Sequence, residues 1–194
     1  MLGSIYALIA LGYTMVYGIL RIINFAHGDI LMVGALTTLS GMHALNAHFP
    51  TLPPLAQLGL ALMLAMAVCA LLAMAVERFA YRRLRNAPRL APLISGIGVS
   101  VLLQTVAMIV WSRNPLMFPQ ILSMDAIAVT HGSAAHPPAL VTVTGIVTVA
   151  LAFAVMLGLW LLVEYTRLGR GMRAVAENPR IATLMGVNPN AIIA

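Results

Sequence analysis

Residues Ile23–Asp29 read INFAHGD, and Asn24, His27 and Asp29 within that run could bind a polar ligand or move a proton. A histidine two residues before a carboxylate could act as a general base held by an acid. The setting argues against catalysis, because the run lies between two apolar stretches and no serine or cysteine nucleophile accompanies it. A metal reading fails as well. There is no CxxC or HExxH spacing, and the histidines at 27, 43, 48, 131 and 136 are scattered. Cys69 is the only cysteine, so no intramolecular disulfide can form; it lies in an apolar run as a small filler. Neither is there a phosphate cradle: GxxxxGK[ST] is absent and the chain contains no lysine. The run SGIGVSV at Ser95–Val101 lacks the third glycine of a dinucleotide fingerprint and sits inside an apolar segment.

What must position these residues is set by composition. The chain has 194 residues, 61% hydrophobic and 8% charged, where soluble domains carry about 25% charged residues. Lipid is therefore the expected solvent. The formal net charge is +6, and all eleven basic residues are arginines clustered at the ends of apolar runs. That is the pattern of a membrane protein, and it excludes a nucleic-acid partner.

Five apolar segments stand out: Leu2–Ile22, Ile30–Ala47, Leu55–Val76, Leu90–Trp111 and Ala139–Val163. Four reach the length of about 20 residues that a helical span needs. Ile30–Ala47 is marginal and carries Thr37, Thr38, Ser40, Gly41 and His43. It can be a broken helix, a re-entrant one, or a span that faces protein rather than lipid. The fold class is thus an all-α polytopic membrane protein of about five transmembrane segments. Arg78, Arg82, Arg83, Arg85 and Arg89 follow the third segment; Arg167, Arg170, Arg173 and Arg180 follow the fifth. Two crossings separate the clusters, which places both in the cytoplasm and Ser112–Pro138 outside. Arg78, Arg82, Arg85 and Arg89 share one helical face, suited to anionic headgroups or to a cytoplasmic partner.

In INFAHGD the residue types describe a helix break. Asn24 can end the first helix, Gly28 permits the turn, and Asp29 can cap a helix starting at Ile30, where a carboxylate meets the positive end of the helix dipole. Small residues recur at Gly3, Ser4, Ala7 and Gly12 and at Ser95, Gly96, Gly98 and Ser100, positions at which helices can approach closely in lipid.

The second informative stretch is RLGRGMRAVAENPRIATLMGVNP, Arg167–Pro189. Asn178 and Pro179 read as a cap and first helical residue, and Gly186 as a left-handed stop. They predict a short helix, Pro179–Met185, with Ile181, Leu184 and Met185 on one face and Arg180 and Thr183 elsewhere. A helix this short is marginal alone in water and needs a surface to dock on; the bilayer surface is the alternative. Asn188 and Pro189 then begin a further helix.

Three motifs carry a resemblance. Arg173–Gly186, R-A-x-A-E-N-P-x-x-A-x-x-x-G, is similar to the cytoplasmic coupling loop of ABC importer permeases. Gly3–Asp29 and Ala91–Gln104 (APLISGIGVSVLLQ) closely resemble the membrane subunit of branched-chain amino acid importers. The motifs follow the family's order and spacing over nearly the whole chain. The resemblance implies a single permease domain over 1–194, truncated at both ends, with 164–189 as its coupling loop. It implies that Arg173, Ala176, Glu177, Asn178, Pro179, Ile181, Leu184, Met185 and Gly186 couple to an ATPase, and that Asn24, Phe25, His27, Gly28 and Asp29 form a helix break or line the translocation path. Implied partners are a second related permease, two cytoplasmic ATPase subunits, a periplasmic binding protein and the lipid bilayer of the inner membrane. ATP would be bound by those ATPases, leaving this chain without cofactor, metal or catalytic residue. Leucine, isoleucine and valine are the implied substrates. Urea or short amides, a self-contained secondary transporter and an inert permease fragment are the alternatives.

Overall fold

The computed structural model describes residues 2–20, 24–84, 87–88, 90–119, 121, 126–128 and 140–193. The architecture is all-α. Helices α1 (Leu2–Leu20), α2 (His27–His48), α3 (Pro54–Val76), α4 (Leu90–Trp111) and α5 (Val143–Tyr165) match the five apolar segments. Three short helices follow: α6 (Arg167–Glu177), α7 (Pro179–Leu184) and α8 (Pro189–Ile193). A three-residue antiparallel ribbon, Ala126–Ala128 with Leu140–Thr142, adjoins α5. It moves the start of α5 from the expected Ala139 to Val143, where the Thr142 hydroxyl accepts the Gly145 N–H at 3.2 Å. Arg85, Asn86, Arg89, Asp125, His131 and His136 lie outside the described residues.

Among the described residues four helices are long and apolar enough to cross a membrane, and α1 is a shorter apolar helix. The protein is an integral membrane protein. Helix α2 is continuous over 22 residues, so the break and the re-entrant turn considered for Ile30–Ala47 are both ruled out. Its weak hydropathy marks a span that faces protein: 33% of its apolar window is buried, against 6% for α5. The buried Thr38 hydroxyl donates to its own helix at Gly34 O, 2.8 Å away, which keeps the polar groups of this span satisfied.

Helix α3 runs on as a π-helical turn, Glu77–Tyr81, and a 3-10 turn, Arg82–Leu84. The rod Pro54–Leu84 is 31 residues long, or about 46 Å. That exceeds the apolar layer of about 30 Å, so the end that bears Arg82 and Arg83 can reach the interface. The π turn is wide, and it turns Glu77 and Tyr81 inward, where both are buried.

Helix α2 lies along α3 through small residues. A Cβ built on Gly34 would fall 2.9 Å from Cys69 Sγ, and one on Gly41 would fall 3.2 Å from the Ala61 Cβ. These glycines are two turns apart and so share a face. Without a hydrophobic drive between helices in lipid, such close approach supplies much of the association. Helices α2, α3 and α4 form one packed group, and α1, α5 and α6 a second.

Gly41→Leu should therefore lower stability by about 1–3 kcal/mol through overpacking against Ala61, read as a lower midpoint of SDS-induced unfolding in mixed micelles. Gly59→Leu, where an added Cβ meets nothing within 4 Å, should leave that midpoint in place.

Candidate functional site

Residues 24–29 fold as a tight joint between the two helix groups. Asn24 Oδ1 accepts the Ala26 N–H at 3.0 Å and the Tyr81 hydroxyl at 2.8 Å. The His27 N–H donates to Asn24 O at 3.3 Å, and Ala26, fully buried, is the N-cap of α2. Tyr81 in turn sits against Gly96 of α4: a Cβ there would lie 2.8 Å from the tyrosine oxygen and 3.7 Å from the Phe25 nitrogen. Only glycine admits α4 this close.

The cap assigned to Asp29 is corrected. Helix α2 starts at His27, three residues before the Ile30 start that a cap at Asp29 implies, because the Asn24 turn already supplies the start. Gly28 is correspondingly inside the first helical turn and not in the joint, which the chain makes at Phe25–Ala26. Asp29 still benefits from the positive end of the α2 dipole. It is 8% exposed, and Gln104 Nε2 of α4 donates to its Oδ1 at 2.9 Å while also lying 3.3 Å from Ser100 Oγ.

His27 faces the other helix group. Its ring meets Tyr13 edge-on, with centroids 6.1 Å apart. A Cβ on Gly12 would come within 3.2 Å of it. The three polar side chains are thus sent to three different helices and do not converge as a His–Asp pair would. Among the described residues of the run, Phe25 and Gly28 are the exposed ones. Tyr81 and Gln104 were missed by sequence reasoning; Gln104 is an isolated hydrogen-bonding side chain in an apolar run, which was the available signal, whereas Tyr81 sits beside Arg82 and Arg83 and carries no such signal.

The second site is the unit after α5. Thr166 closes α5 and opens α6: its hydroxyl donates to Leu162 O at 2.6 Å and accepts from the Gly169 N–H at 3.0 Å. A Cβ on Gly169 would overlap the carbonyl oxygens of Leu162 and Val163. Arg173 reaches back to the second of these carbonyls, donating to Val163 O at 2.8 Å and to Glu164 Oε2 at 2.7 Å. With both partners about half exposed, the ion pair itself adds little. The carbonyl bond matters more, since it satisfies an acceptor left over at the end of α5.

Helix α7 ends at Leu184, with Met185 as its cap, one residue short of the expected span. Asn178 Oδ1 accepts the Arg180 and Ile181 N–H groups at 3.0 and 3.3 Å. The Gly186 N–H donates to Thr183 O and the Val187 N–H to Ala182 O, with Gly186 at φ +83°. This is a Schellman stop. Ala182 points inward at 2% exposure, while Ile181, Leu184 and Met185 stand out at 56%, 88% and 78%. Ala176 and Glu177 lie in the last turn of α6, a helix where a loop was expected.

The whole chain, residues 1–194, matches the model of a family described as the permease component of branched-chain amino acid transport systems. Among curated relatives, the high-affinity branched-chain amino acid transport permease protein BraD of Pseudomonas aeruginosa is 38% identical over 99% of this chain. Permease proteins LivH of Salmonella typhimurium and Escherichia coli are 37% and 36% identical over all of it. The chain spans 61% of the length of each of these relatives. No solved structure matches.

Gln104→Leu should cost about 1–3 kcal/mol, because it leaves the buried Asp29 carboxylate without its donor. Asp29→Leu combined with Gln104→Leu should recover most of that loss. The same SDS unfolding midpoints give the cycle, and strict additivity of the two single losses would show that the pair is not coupled.

Proposed function

The chain belongs to the permease family of branched-chain amino acid transport systems, and from that premise we propose that it is the membrane subunit of an ATP-driven importer of leucine, isoleucine and valine. The observation that carries this reading is the rigid α7 with three outward apolar side chains. A six-residue helix fixed at both ends by its own caps, and presenting Ile181, Leu184 and Met185, has the form of a knob for a partner's groove. Partner ATPases would close on it, and α6, bonded to the end of α5 through Arg173 and Thr166, would pass that movement into the bundle as a rigid body.

On this reading residues 1–194 act as one permease unit, with 164–189 as its coupling loop. The arginine clusters support a cytoplasmic position for that loop, in a cell with an inner membrane, with the connection after α4 outside. The path lies between this chain and a second related permease. Phe25 and Gly28 would face it, with Asn24, His27 and Asp29 holding the joint behind them. A periplasmic binding protein would deliver the substrate. A permease for urea or short amides would share this design. A self-contained ion-coupled carrier is less well supported, since such carriers use intramembrane ionisable groups for the coupling ion and Asp29 is engaged by Gln104.

In an assembled importer, Leu184→Asp should abolish co-purification of the ATPase subunit and ATP-dependent uptake of radiolabelled leucine. Retained co-purification would favour a helix lying on the bilayer. Uptake driven by a proton gradient without ATPases would sink the transport mechanism. For orientation, Asn114→Cys should react with an impermeant maleimide in whole cells and Thr183→Cys should not.

A further inference from the structure

Where α2 turns into α3, a pocket of about 400 Å³ opens beneath the connection that follows α4. The volume lies within the range of about 300–1,000 Å³ typical of small-molecule sites. Met42, His43 and Asn46 line it from α2, Gln57 from α3, Leu52 from the turn and Ile121 from the connection.

Gln57 is the informative residue. It is 5% exposed in the first turns of an apolar span. Its Nε2 donates to Leu52 O at 3.0 Å and so braces the turn. That bond fixes the amide orientation and leaves Oε1 as the free end, with no hydrogen bond to it among the described residues. A buried amide oxygen without a protein partner is costly unless a water or a ligand donates to it. His43 and Asn46, exposed and also without side-chain partners among the described residues, bring donors to the same pocket. Among the described residues, no acid, arginine or lysine lines it. Met42, Leu52 and Ile121 supply an apolar wall.

A described lining without charge, with an acceptor, two donors and an apolar wall, suits a ligand that carries both charges and an aliphatic body. We propose that this pocket is an entry site for a small zwitterionic aliphatic amino acid, its ammonium on Gln57 Oε1 and its carboxylate on His43 and Asn46. The inference rests on the transport reading for its place in the cycle: with the connection after α4 outside, the pocket lies at the outer mouth, where substrate arrives. Prior capture there would hold the substrate next to the span that forms the joint with α1.

The test is binding of tritiated leucine to the chain in lipid nanodiscs, without ATPases, by scintillation proximity. Saturable binding is expected. Gln57→Leu should weaken Kd about tenfold or more, the effect of one lost hydrogen bond to a charged group. Asn46→Leu, at an exposed position where folding is not at stake, should weaken it in the same direction. Isoamylamine and 4-methylpentanoate, each leucine without one of its two charges, should compete at least about tenfold less well than leucine. Absence of saturable binding, an unchanged Kd in both variants, or equal competition by either analogue would overturn the proposal. Uptake by the assembled importer separates the two readings. Normal leucine uptake with an unaltered KM in both variants removes the pocket and leaves the transport function. Leucine binding in nanodiscs with no uptake by the assembled importer removes the transport function and leaves the pocket.

Discussion

Where packed helices exclude water, a backbone that leaves the helix has to find its hydrogen bonds within the protein. The joint before α2 meets that constraint with one side-chain oxygen. Asn24 Oδ1 takes the Ala26 N–H, which starts α2, and the Tyr81 hydroxyl, which ties α2 to the far end of the α3 rod. The rest follows in sequence. Tyr81 can point inward because the π turn rotates it there. With the tyrosine in place, residue 96 must lack a side chain if α4 is to pass. With α4 seated, Gln104 comes within reach of Asp29. At the opposite end, the Trp111 indole N–H donates to Ser40 Oγ at 2.7 Å, so α2 and α4 are pinned twice. Asn24 is thus the first link in the packing of three helices.

The parts of this fold that were legible in the sequence are those fixed by local chemistry or by solvent. All five segment positions come within four residues of the helices because hydrocarbon demands long unbroken apolar runs. Asn178, Pro179 and Gly186 gave the limits of α7 to one residue, since caps and stops depend on near neighbours. Asp29 misled because a carboxylate before an apolar run looks like a cap; the true start was set by Asn24, whose second partner lies 57 residues away. Helix α6 was hidden for a related reason. Its glycines at 169 and 171 speak against a helix locally, yet both are buried and let α6 seat against α5 and α8. The ribbon before α5 depends on pairing across a connection and has no local signature.

Small residues do two kinds of work here. Gly34 and Gly41 admit another helix, as lipid packing favours. Gly12 and Gly96 admit a polar ring instead, His27 and Tyr81. In the second case the glycine gives a hydrogen-bonding side chain a place between helices and out of lipid. The glycines of α1 and α4 are therefore part of the same joint as INFAHGD, although 12 and 96 are far from it in sequence.

The way Asp29 is held bears on how transport would be powered. A carboxylate in a span is most simply neutralised by an arginine, but every described arginine lies beyond the apolar body of its helix, in the π and 3-10 turns, in the connection after α4, or after α5. Asp29 relies on a neutral amide and on the first turn of α2, where the helix dipole provides a fixed partial positive charge. Such support is built into the helix and does not move with an ion or a proton. A group stabilised by its own backbone is suited to holding α2 against α4 through a rigid-body movement, and poorly suited to being loaded and unloaded in each cycle. The energy for movement would then enter elsewhere, at the exposed face of α7, which is fixed through α6 to the end of α5 and not to the α2–α4 pair.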